Sequence, residues 1–134
     1  MKSFYLTLLS FILISNYSFS QFKLEVDITG IKNDTGKLMF QLYDENEQII
    51  KQEIGIIKDK KYSFSIENLK AGKYAIRYFH DENLNGNLET NFVGKPTEGY
   101  GFSNNVVGKF SMPPFEKWLF DLNGDQKMVL KPTY

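Results

Sequence analysis

Phe22-Lys23-Leu24-Glu25-Val26-Asp27-Ile28-Thr29 alternates strictly, with Phe22, Leu24, Val26 and Ile28 on one side and Lys23, Glu25, Asp27 and Thr29 on the other. Successive side chains of a strand point to opposite faces, so the stretch reads as an antiparallel strand with one dry face and one wet one. The reading extends outward from there. Asn33-Asp34-Thr35-Gly36 carries turn chemistry and leads into a second strand at 37–43. Residues 44–47 form a solvated connection, and 49–57 is apolar but irregular, fitting either a strand or a loop. Tyr62, Phe64 and Ile66 alternate again, and after a turn at 68–73 another strand runs over 74–79. A Gly- and Asn-rich segment covers 94–108, and Pro113-Pro114 breaks the chain. Residues 117–122 and 127–130 are expected to pair as a hairpin around Asn123-Gly124-Asp125. No long helical period appears. About seven short strands with turns between them predict an all-β fold, an antiparallel β-sandwich of immunoglobulin-like or transthyretin-like type.

The 134 residues suit a single domain at 21–134, preceded by a signal peptide at 1–20. Lys2 gives a positive start, an uncharged apolar run follows at 4–14, and Ser18-Phe19-Ser20 offers small residues where a signal peptidase reads. The run is short of the ~20 residues a spanning helix needs. Export to the periplasm or the extracellular space is therefore expected, without membrane insertion after cleavage. Cysteine is absent, which excludes disulfides, thiolate metal sites, a thiol nucleophile and a lipid anchor at the cleavage site. Without Lys2, fifteen basic residues face sixteen acidic ones, a net charge of −1. So even a balance argues against nucleic acid as a partner. A monomer is expected.

The stretch with the most chemistry is His80-Asp81-Glu82-Asn83-Leu84-Asn85-Gly86-Asn87-Leu88-Glu89-Thr90-Asn91. Asp81, Asn83, Asn85, Asn87 and Glu89 place oxygens at every second position, with Gly86 sixth in the series. That is the spacing with which a loop wraps a calcium ion, Asn87 contributing its backbone carbonyl. Carboxylate and amide oxygens suit calcium better than zinc or copper. Phe92 stands where an EF-hand has its bidentate glutamate, and the flanks read as strands, so the loop is not an EF-hand. With two formal anions among the ligands, binding is expected in the ~10⁻⁴–10⁻³ M range of extracellular modules. The alternative is an Asn85-Gly86 hairpin turn leading to a short strand near Leu88. That alternative accounts for the Asn-Gly step but not for the whole series of oxygens.

His80-Asp81-Glu82-Asn83, Glu98-Gly99-Tyr100-Gly101-Phe102-Ser103-Asn104 and Pro113-Pro114-Phe115 together resemble the exported bacterial family catalogued as domain of unknown function 2141. The resemblance covers essentially all of 21–134. Leu84 stands where that family usually has glycine, and Glu89 where it usually has aspartate. The turn from Leu69 to Tyr74 is similar to the turn-then-strand signature of transthyretin-like and carboxypeptidase-regulatory-like sandwiches, which implies fold and not function.

Other residues carry weaker signals. His80 is the only histidine; with no nucleophile motif beside it, it reads as a strand-end residue supporting the loop rather than a general base. Glu98 or Asn104 could supply the oxygen missing at Phe92. Tyr100 and Phe102, set among glycines, could face a carbohydrate or protein partner, or fold back on the core. Pro113-Pro114 reads as a rigid entry to the strand that follows. The expected function is an exported, non-catalytic module with a calcium loop and an accessory or adhesion role. A small carboxylate-dependent hydrolase using Asp81, Glu89 or Glu98 with His80 is the alternative from a different class. It would need a substrate cleft between its carboxylates. A purely structural module without metal is the third.

Overall fold

Alternation decides which face of each strand is dry, and two such faces make a core. In the computed structural model, which describes residues 20–134, the strands are β1 (Gln21–Thr29), β2 (Lys37–Asp44), β3 (Ile49–Gly55), β4 (Lys61–Lys70), β5 (Gly72–Asp81), β6 (Tyr100–Phe102), β7 (Phe120–Leu122) and β8 (Gln126–Leu130). The expected signal peptide at 1–20 lies, Ser20 apart, outside the described residues. One sheet has the order β4-β1-β8; the other runs β3-β2-β5-β6, with β7 also on β5. Every pairing is antiparallel except β1 with β8. The molecule is an all-β sandwich, as its alternating strands require.

Leu24, Val26 and Ile28 of β1 face Leu38, Phe40 and Leu42 of β2 and Tyr74, Ile76 and Tyr78 of β5 across the layer between the sheets. Phe40 and Phe64 meet edge to face at 4.5 Å, an arrangement aromatic pairs favour. A second, smaller cluster lies on the opposite face of the larger sheet, built from Tyr43, Ala75, Phe102 and Trp118. Ser103 anchors it: its hydroxyl accepts the Ile76 N–H at 2.9 Å and donates to the Trp118 carbonyl. Phe102, a candidate for partner contact, is 3% exposed and packs on the Trp118 ring at 4.3 Å. Burial under Trp118 removes it from a flat exposed surface.

The expected hairpin of 117–122 with 127–130 does not form. β7 joins β5, while β8 lies beside β1 in the other sheet. A two-residue type I′ turn needs positive φ at both central residues, and neither Asn123 nor Gly124 has it. Asp125 Oδ1 instead accepts the Lys23 N–H at 2.8 Å, tying this connection to β1. The short strand near Leu88 that the hairpin-turn alternative called for does not occur among the described residues; Thr90 and Pro96 make a single bridge there. The ambiguous 49–57 stretch is a strand over Ile49–Gly55.

Tyr78 sets up a test of this core. Its hydroxyl is buried without a hydrogen-bond partner, above Gly101, where a Cβ would lie 2.2 Å from the oxygen. Burial, and secondarily the charge of Tyr134, pushes the Tyr78 hydroxyl above its ordinary value of 10.0. A raised value contributes stability that is present below pH ~10 and lost as pH rises through the folded value. Tyr78→Phe is therefore expected to leave stability at pH 7 unchanged or raise it by up to ~1 kcal/mol. Chemical denaturation across pH 8–12 should show a shallower alkaline loss in the variant, by about the share one tyrosine contributes.

Candidate functional site

The loop leaving β5 is organised by two carboxylates that the strand ends deliver to it. Asp81, the last residue of β5, is 3% exposed, and Glu98, two residues before β6, is 5% exposed. Asp81 Oδ1 accepts the Asn85 N–H at 3.1 Å and Oδ2 the Gly86 N–H at 2.8 Å. Glu98 closes the loop from the other side. Its Oε1 accepts the Glu82 N–H at 2.9 Å and its Oε2 the Glu89 N–H at 3.1 Å, so one side chain clamps both ends of the turn. Glu98 is thus brought to the loop, across a separation that local spacing could not measure.

Between these clamps the asparagines make local turns. Asn83 Oδ1 accepts the Asn85 N–H at 3.1 Å, and Asn85 Oδ1 accepts the Asn87 N–H at 2.8 Å. Asn85 also donates from Nδ2 to Glu89 Oε1 at 2.8 Å. Each oxygen so engaged keeps a second lone pair. Gly86 has φ 78°, as the sharp bend demands, and Leu84 has φ 64°. The left-handed region is costly for a leucine and free of that cost for a glycine. Phe92, at the twelfth position, is fully exposed and brings no oxygen. Among the described residues, no three carboxylate or imidazole groups converge on one point. An ion here would draw on amide and backbone oxygens as well as on Asp81 and Glu89.

His80 links the start of the loop to two other parts of the chain. Its backbone N–H donates to Gly99 O at 2.7 Å, and its ring is fully buried, with Nδ1 4.0 Å from Glu82 Oε1 at the start of the loop. A carbonyl can only accept, so Nε2, 2.6 Å from Thr35 O, carries a proton, and Nδ1 lies 3.0 Å from the Tyr134 hydroxyl. Tyr134 in turn accepts the Lys32 N–H at 2.8 Å. Burial raises the Tyr134 hydroxyl, the Lys32 N–H lowers it, and the Glu82 charge raises it further. The ring therefore ties the 33–36 turn to the C-terminal residue.

Asn104 is also placed elsewhere than the loop. Its Nδ2 donates to the carbonyls of Lys117 at 3.0 Å and Leu119 at 2.9 Å, and its φ of 61° is one asparagine tolerates. Tyr100 is half-buried beside Phe79 on the outer face of the larger sheet. Tyr134, Glu82 and Ser103 act in these networks without any motif to mark them, since each works on a partner distant in sequence.

No curated protein and no solved structure gives a match to the chain. The family model described as uncharacterized protein conserved in bacteria (DUF2141) matches residues 26–130, from the centre of β1 to the end of β8, and the chain belongs to that family.

Proposed function

We propose that this is an exported, non-catalytic β-sandwich module, acting in the periplasm or outside the cell, whose 81–89 loop binds calcium weakly. The observation that carries the reading is the burial of Asp81 and Glu98 with backbone N–H groups as their partners. Neither carboxylate has a Lys or Arg ion-pair partner among the described residues. Buried anions call for compensating positive charge, and a divalent cation held by the loop's remaining lone pairs would supply it. Asp81, Asn83, Asn85 and Glu89 would offer side-chain oxygens and Asn87 its carbonyl, with Glu98 holding the loop in shape. His80 supports the non-catalytic half of the reading. Its ring is buried and both nitrogens are engaged, so no nitrogen is free to take a substrate proton.

The thermal midpoint of the mature chain in EDTA and in ~10 mM calcium tests the reading. At a dissociation constant of ~10⁻⁴–10⁻³ M, binding to the folded state alone adds about 1.4–2.7 kcal/mol. That corresponds to a rise of roughly 5–10 °C. The rise should vanish in Asp81→Asn and be absent with magnesium at the same concentration. No rise in the unaltered chain would leave the metal-free structural module, whose loop its own hydrogen bonds hold.

A further inference from the structure

A groove on the outer face of the larger sheet lies apart from the 81–89 ligands. Its floor is Arg77, Tyr100 and Phe102, which β5 and β6 present on one face because Arg77 and Phe102 are register partners. One wall is the 93–96 segment and the other is 107–112; Thr133 and Tyr134 close an end. The enclosed volume is about 510 Å³, within the ~300–1,000 Å³ of small-molecule sites. Two features set its chemistry. Val93, Val107, Phe110 and Met112 rim it with their side chains largely exposed, Phe110 completely so. The charged side chains of the lining are three cations, Arg77, Lys95 and Lys109, with no carboxylate among them. None of the three makes an ion pair among the described residues.

We propose that this groove binds a small amphipathic anion, an apolar chain or ring ending in a carboxylate. The apolar body lies between the two walls and over Tyr100, removing exposed apolar surface from water on both partners. The carboxylate meets Arg77, whose planar guanidinium can donate two parallel hydrogen bonds to it, with Lys95 and Lys109 adding positive field from the rim. A neutral sugar would leave three cations unmatched, and a cationic ligand would be repelled. The inference rests on the reading of a binding module but not on the calcium ion, since no ligand-series oxygen from 81 to 87 lines the groove.

The test is calorimetric titration of the mature chain with decanoate below its micelle concentration, in EDTA so that no calcium takes part. Saturable one-to-one binding is expected. Decanol and decyltrimethylammonium should bind at least about tenfold more weakly, the loss of one charge-assisted contact. Arg77→Gln should cost about tenfold in decanoate affinity. Because Arg77 is half-buried, Lys95→Gln with Lys109→Gln serves as a second variant at exposed positions, expected to cost roughly two- to fivefold per charge. Phe110→Ser should weaken both decanoate and decanol. Four results would each overturn the proposal. They are no saturable decanoate binding, equal affinity for the cationic amphiphile, co-sedimentation with phosphatidylglycerol vesicles without binding of free decanoate, and a dimer that Phe110→Ser converts to monomer.

Discussion

Trp118→Ala is expected to lower stability by about 3–5 kcal/mol, the largest loss for any single truncation on the outer face. Trp118 is almost fully buried, lies on Phe102 at 4.3 Å and meets Phe115 and Tyr43 edge-on at 5.4 and 6.2 Å. Its indole N–H donates to Pro113 O at 3.0 Å, so the same ring fixes the end of the 107–112 wall. Truncation leaves a cavity beside Ala75 and unpairs that carbonyl at once. Urea denaturation should register the full loss. Trp118→Phe, which keeps a ring but not the donor, should lose only the smaller part, about 1–2 kcal/mol. If Trp118→Ala and Trp118→Phe were equally mild, this second cluster would not be contributing to the fold.

Glu98→Ala comes next, at about 2–4 kcal/mol. Two N–H groups, of Glu82 and Glu89, lose a charged acceptor together, and each such bond carries ~1.5–3 kcal/mol before solvent exposure reduces it. Glu98→Gln keeps one carbonyl acceptor but presents an amide N–H₂ to the other donor, so an intermediate loss is expected. Amide hydrogen exchange gives the sharper readout. In Glu98→Ala, protection should fall at residues 82–91 while the amides of β1 and β2 stay protected. Uniform loss of protection, or none, would mean that the clamp is not what holds the loop.

Much of the sandwich was legible because its signal is local. Leu24, Val26 and Ile28 face inward as their period-two spacing required, and the same holds for Tyr62, Phe64 and Ile66 packing toward the shared core. The Asn123-Gly124 step misled for a physical reason. It favours a hairpin only if the flanking strands pair with each other, and here β5 and β1 offered each a better partner. In the loop, Gly86 makes the sharp bend its lack of a side chain allows, and Glu98 is nameable from the sequence as a nearby oxygen but not as a double clamp. His80 and Asn104 could not be placed from spacing, because Thr35, Tyr134, Lys117 and Leu119 reach them only through tertiary structure. Phe102 illustrates a last limit. A phenylalanine next to a glycine looks available, yet what covers it is a tryptophan sixteen residues on.

Calcium titration of residues 21–134 followed through their backbone amide resonances tests the central claim most directly. The account predicts saturable shifts concentrated at Asn85, Gly86, Asn87 and Glu89, half-complete at ~10⁻⁴–10⁻³ M, and absent in Asp81→Asn. Shifts that fail to saturate, or that scatter over exposed carboxylates such as Glu45, Glu47 and Glu116 and leave the loop untouched, would contradict it.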